Sequence, residues 1–308
     1  MTQPQTHEAA ERPDGFPTGA SGPTAGRVLV TGASGSVGRQ VLARLVRAGV
    51  PVRAVSRNPK TVAGWQADGL QAVNASLDDL GEALQGCQRM FLLSPATPDQ
   101  YGQDRRAIDA ARTAGLTHVV KLSSGDAVAD SPISWARGHA YSDRDLQASG
   151  LAWTLLRPSA FFPNLLNNAS TIRRGFLPHT SGTGTTGWID VADIAAAATA
   201  VLTTPGHQEA SYDLTGPEAL SFPDLALRLS SVLARTVRPV FLPAPVFRTV
   251  LRAAGTDAWT ATNLVAQFAD VVRSGRHDPG VTTTVQDLTG QPPTPVVDWI
   301  WRHRDTFS

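Results

Sequence analysis

The chain has 308 residues, a formal net charge of +1, and 42% hydrophobic and 17% charged residues, the balance of an ordinary globular protein with one large or two modest domains. No basic run stands out, which argues against a dedicated nucleic-acid binder, and no apolar stretch approaches the ~20 residues of a membrane crossing. A single cysteine, Cys87, excludes an internal disulfide and fits a reducing compartment; with no leader-like start, a cytoplasmic location is expected.

Residues 1–26 are rich in Pro, Gly, Ser and Thr and hold almost nothing to bury, so a flexible tail is expected. From Arg27 the pattern changes. RVLV is a short β-branched run, TGASGSVG a turn, and VGRQVLARLVRAG a helix with Val37, Val41, Leu45 and Val46 on one face. Further strands are predicted at VRAVSR, 89–94, 118–124 and 152–158, with helices around 78–86, 99–114 and 139–149. That alternation predicts an α/β fold, a doubly wound parallel sheet of the Rossmann kind over 27–157. Residues 158–308 read as a smaller, mostly helical substrate region, with a strand near 211–215 rejoining the main sheet.

Two glycine patterns compete. Gly182, Gly184 and Gly187 follow no strand, so a mobile loop is expected there. Gly32, Gly35 and Gly38 follow a strand and open a helix, the arrangement that lets backbone amides meet a pyrophosphate. No Asp or Glu occurs between Thr31 and Ala67, where an NAD site usually has an acid for the ribose 2′-hydroxyl. Arg57 and Lys60 stand there instead, and a guanidinium suits a 2′-phosphate. NADP(H) is therefore the expected cofactor.

The segments TGASGSVG (31–38), VSRNP (55–59), MFLLSP (90–95), VVKLSS (119–124), SGLAWTLLRPSAFFPN (149–164), IDVADIAA (189–196) and YDLTGPEAL (212–220) carry a resemblance. Together they are similar to the NmrA-like, atypical short-chain dehydrogenases, which include the type-2 quinone oxidoreductases. The resemblance implies a cleft between a Rossmann domain and a small C-terminal region. It implies that Gly32, Ser34, Gly35, Ser36 and Val37 hold the pyrophosphate, and Arg57 and Lys60 the 2′-phosphate. Asn74 would lie near the adenine, Leu93, Ser94 and Ser123 along the cofactor, and Pro158 beside the nicotinamide. Phe161 and Phe162 would cover an aromatic substrate.

The proton chemistry is less conventional. Short-chain dehydrogenases pair a Tyr with a Lys four residues later. Here the residues four past Tyr101, Tyr141 and Tyr212 are Arg105, Asp145 and Gly216, and the only lysines are Lys60 and Lys121. Ordinary ketone–alcohol chemistry is disfavoured. His139 and then Tyr141 are the candidate proton donors, with Asp143 one turn beyond His139. No metal-ligand spacing is present. The sequence favours an NADPH-dependent reductase of a small quinone-like or enone aromatic substrate. It leaves open a non-catalytic NADP(H) redox sensor, or a redox-neutral cyclase or dehydratase. It does not speak to oligomeric state.

Overall fold

The computed structural model describes residues 26–65, 67–276 and 280–308; the predicted N-terminal tail lies, but for Gly26, outside them. Seven strands form one all-parallel sheet: β1 (Arg27–Val30), β2 (Val52–Ser56), β3 (Leu70–Asn74), β4 (Cys87–Leu92), β5 (His118–Leu122), β6 (Ala152–Pro158) and, after a short β7 (Phe176–His179), β8 (Ala210–Leu214). Their spatial order is β3-β2-β1-β4-β5-β6-β8. β7 pairs in parallel with β9 (Arg238–Phe241) as a separate two-stranded sheet. This small sheet was not foreseen: RPVF and FLPH are too short and too Pro-interrupted to read as strands.

Both faces of the sheet are covered. Helices Ser36–Arg47 and Val191–Thr203 lie on one side, over Val28, Val30, Phe91 and Val120. The Gln100–Thr113 and Ser134–Gln147 helices contribute to the other side, where Leu29, Met90, Val119 and Leu155 are buried. Strands buried on both faces are near-continuous hydrophobic runs rather than alternating ones, as in RVLV and VVKL. A third cluster, with Trp188, Leu229, Val296 and Trp299, is the core of the C-terminal region. There, the chain after Phe161 forms 3₁₀ turns over Phe162–Asn168 and a short helix over Ala169–Arg173. The stretch Ala266–Val272 winds as a π-helix. No helix among the described residues is long and apolar enough to cross a membrane.

From β1, in the middle of the sheet, the chain runs outward to β3, then crosses back to place β4 beside β1. Connections leave β1 and β4 in opposite directions, so a crevice opens at their carboxyl ends, where doubly wound sheets bind ligands.

At the opposite end of the sheet, His118 is buried and its Nε2 lies 2.8 Å from Thr154 Oγ1. Burial, then the charges of Arg89 and His207, holds its pKa down at about 4. An unfolded histidine takes its proton near 6.5, so the unfolded state binds more protons between these values. Stability should therefore fall as pH drops from 6.5 toward 4, by about 1.4 kcal/mol per unit, and on the order of 3 kcal/mol across the whole window. Urea midpoints at pH 7 and pH 5 test this, with His118→Asn expected to flatten the dependence; an equally steep fall in that variant would contradict the assignment.

Candidate functional site

The crevice contains a cavity of about 330 Å³. Its floor is the turn after β1. Gly32 has φ +59°, the left-handed region that favours glycine. A Cβ on Gly38 would lie 2.2 Å from the Gly32 carbonyl oxygen, so helix and turn are in direct backbone contact. Thr31 fastens the turn to the neighbouring strand: its Oγ1 accepts from Leu93 N at 2.8 Å and donates to Leu93 O at 3.0 Å. The helix that follows has Gly35 as N-cap, no side-chain cap and no acid in its first turn. Its leading amides and the positive end of its dipole therefore face the cavity, suited to an anion.

The other walls come from strand ends. Val55, Ser56 and Arg57 close β2; Ala75, Ser76, Leu77 and Asp78 follow β3; Leu93, Ser94 and Pro95 follow β4; Leu122 ends β5; Gln103 and Phe161 complete the lining. Ser94 Oγ and Gln103 Oε1 are buried without a hydrogen-bond partner. Lining residues that hold orphaned polar atoms, together with an uncapped helix end and a guanidinium on the same cavity, suit a ligand with phosphates and hydrogen-bonding groups. The residues fit a dinucleotide.

Of the residues expected here, the structure brings Gly32, Ser34, Gly35, Ser36, Val37, Arg57, Leu93, Ser94 and Phe161 together on this cavity. The others lie elsewhere. Lys60 is exposed in the first turn of the helix Pro59–Gly64, which Asn58 caps by accepting from Lys60 N at 3.0 Å. Asn74 is exposed at the end of β3 and Pro158 is buried at the end of β6; neither lines the cavity. Phe162 is 1% exposed, its ring 5.7 Å from that of Trp299, which makes it a core residue. Phe161 has extended backbone, where successive side chains point to opposite sides, so Phe161 lines the cavity while Phe162 enters the C-terminal core. Sequence reasoning missed Asp78 and Gln103. Asp78 lies four residues beyond β3 rather than directly after it, and nothing in the local pattern around Gln103 distinguishes it from a surface helix position.

His139 does not line the cavity either. It belongs to a polar cluster between β5 and the helices Gln100–Thr113 and Ser134–Gln147. Lys121, fully buried, places Nζ 2.9 Å from His139 Nδ1, 3.0 Å from Asp143 Oδ1 and 3.5 Å from Asp104 Oδ2. Asp143 also accepts from Ser123 Oγ at 2.7 Å and from Arg157 Nη2 at 3.3 Å. Ser123 is thus turned toward the cluster. An ammonium only donates, so Nδ1 accepts and the neutral ring carries its proton on Nε2. The Gln100 amide nitrogen is 2.8 Å from Nε2, while Gln100 Oε1 is buried without a partner. A half-turn of that amide lets Oε1 accept from Nε2–H and satisfies both groups. Burial, then the Lys121 charge, holds the His139 pKa well below its usual value. Both ring nitrogens are engaged within the protein. Tyr141 is 39% exposed and meets the Tyr101 ring edge-on at 5.7 Å.

Comparison with known proteins agrees with this geometry. The profile of the NAD(P)H-binding family matches residues 32–205. An NAD(P)H azoreductase from Xenophilus azovorans is 33% identical over 91% of this chain and 99% of its own length. A (4-alkanoyl-5-oxo-2,5-dihydrofuran-3-yl)methyl phosphate reductase from Streptomyces griseus is 36% identical over the same shares. The crystal structure of an NADPH-dependent quinone oxidoreductase from Escherichia coli, complexed with NADPH, superposes with a TM-score of 0.82 at 27% identity, covering 90% of this chain and 99% of that one. With its glycine turn, its uncapped helix end and this likeness over most of its length, the chain belongs to the NAD(P)H-binding family.

Proposed function

We propose that this NAD(P)H-dependent oxidoreductase holds NADPH in the crevice and reduces a small quinone-like or enone aromatic acceptor. The observation that carries the reading is one cavity lined by the anion-binding turn after β1, by Arg57 on the β2 side of that turn, and by the apolar group Leu93, Leu122 and Phe161 on its β4–β6 side. Relatives named for azo and quinone reduction support the acceptor class, because both groups are conjugated and electron-poor.

When bound, NADPH supplies the hydride. The first amides of helix Ser36–Arg47 hold the diphosphate, and Arg57 pairs with the 2′-phosphate. Leu93, Leu122 and Phe161 keep water from the reacting face. The tyrosines favour an acceptor that needs no Tyr–Lys pair. Tyr101 OH donates to Asp145 at 3.0 Å, and Tyr212 OH lies 2.8 Å from His207 Nδ1. A quinone or enone becomes a delocalised anion on taking hydride, so it needs no paired proton donor during the transfer and takes its proton from solvent afterwards.

Loss of the reduced-nicotinamide absorbance across a panel of quinones and enones tests the proposal. Tight NADPH binding with no turnover on any of them would favour a redox sensor instead. Arg57→Ala should weaken NADPH about ten- to hundredfold, the worth of a charge-assisted pair, while NADH changes less than about threefold. Equal losses for the two would remove the basis for choosing NADPH.

A further inference from the structure

We propose that Gln103 reads the base of the dinucleotide, accepting from the exocyclic amino group of adenine, so that the site selects adenine over bases with a carbonyl there. The inference rests on the assignment of NADPH to the cavity. Arg57 at the end of β2 marks the 2′-phosphate, and the base is attached to the ribose carbon adjacent to the one that bears it. The base must therefore lie against the walls beside Arg57. β3 is the neighbour of β2, with Ser56 opposite Asn74, and the loop after β3 supplies Ala75 and Leu77 as apolar lining. A flat ring fits against such a surface.

Gln103 lines the same cavity, and its Oε1 is buried and unpartnered. A buried carbonyl oxygen without a donor is costly, and it only accepts. Ser94 Oγ, the other orphaned lining atom, can donate or accept and so does not discriminate between ligands. The base wall is held in place from outside. One turn along the same helix, Arg106 pairs with Asp78 of the loop and with Asp99, both at 2.6 Å. Loop and helix are thereby tied beside Gln103, and the acid that this loop brings to the cavity, Asp78, is already paired with Arg106.

Calorimetric titration with NADPH and with its hypoxanthine analogue, in which a carbonyl replaces the amino group, tests this in wild type, Gln103→Leu and Gln103→Glu. Gln103→Leu should bind NADPH about tenfold more weakly, the worth of one hydrogen bond to a buried acceptor, and should no longer distinguish the two dinucleotides. Gln103→Glu, whose carboxylate accepts but cannot donate, should keep NADPH within about threefold of wild type and prefer it to the analogue by about tenfold or more. Wild type should fall between, because an amide can turn its nitrogen toward a carbonyl. The same preference in all three proteins, or Gln103→Leu binding NADPH within about twofold of wild type, would overturn the assignment of Gln103 alone. If wild type binds no NADPH, the cofactor assignment falls and this inference falls with it.

Discussion

Lys121→Met should cost about 3–5 kcal/mol of folding stability, the largest loss expected from a single substitution outside the apolar core. Lys121 is fully buried and its ammonium is the cation between Asp104 and Asp143, which are 0% and 1% exposed. Methionine fills much the same volume but leaves two carboxylates out of water, with hydroxyl donors from Ser123 and Ser142 and, at 3.3 Å from one of them, Arg157 as the cation that remains. Their desolvation, no longer balanced, dominates the loss. The triple variant Lys121→Met, Asp104→Asn, Asp143→Asn should recover much of it, because replacing a whole buried ionic cluster is far cheaper than breaking one. Denaturant titration of both variants checks the pair of outcomes. A single substitution costing less than about 1 kcal/mol, in the range of a surface pair, would mean that the cluster is hydrated.

Gly38→Ala should abolish cofactor binding in practice, weakening NADPH by about a hundredfold and lowering stability by about 1–3 kcal/mol. The added Cβ would meet the Gly32 oxygen at 2.2 Å, the Gly32 carbonyl carbon at 2.7 Å and the Ala33 Cα at 3.0 Å. All three are backbone atoms, so no side chain can swing aside. Either the helix lifts from the turn or the turn deforms, and in both cases the amides leave the positions that face the diphosphate. Gly64→Ala is the control, since a Cβ there meets nothing within 4 Å. It should leave NADPH affinity and stability unchanged by fluorescence titration and thermal melting. Near-normal affinity in Gly38→Ala would show that the turn does not carry the phosphates.

Much of the cofactor half of the site is legible in the linear chain because it is local. Residues 31–38 place strand end, turn and helix start in one continuous stretch, and the turn's requirements fall on glycine types that sequence displays directly. Arg57 was readable for a similar reason, since strand ends in a parallel sheet all emerge on one edge. Gln103 was not. Its place on the cavity depends on Ala75–Asp78 being folded against its helix, a contact between segments some twenty-five residues apart. The polar cluster shows the same limit from the other side. A search for a Tyr followed by Lys four residues later looks along one helix, and Lys121 lies on a strand instead. His139 and Asp143 do share a helix face, as their spacing suggests, but that face turns to Lys121.

Composition, periodicity and the placement of glycines were thus enough to read the doubly wound class, the glycine turn that opens the first helix and the position of the guanidinium after the second strand, because each follows from backbone geometry within a short span. Tertiary structure alone decided which of two adjacent phenylalanines lines the cavity and that Gln103 joins its lining. It also decided that the His139 ring is committed to Lys121 and Gln100. Those outcomes depend on which side chains meet across the sheet and between its helices, and burial makes such meetings decisive: a polar group removed from water must find its partner wherever the fold supplies one.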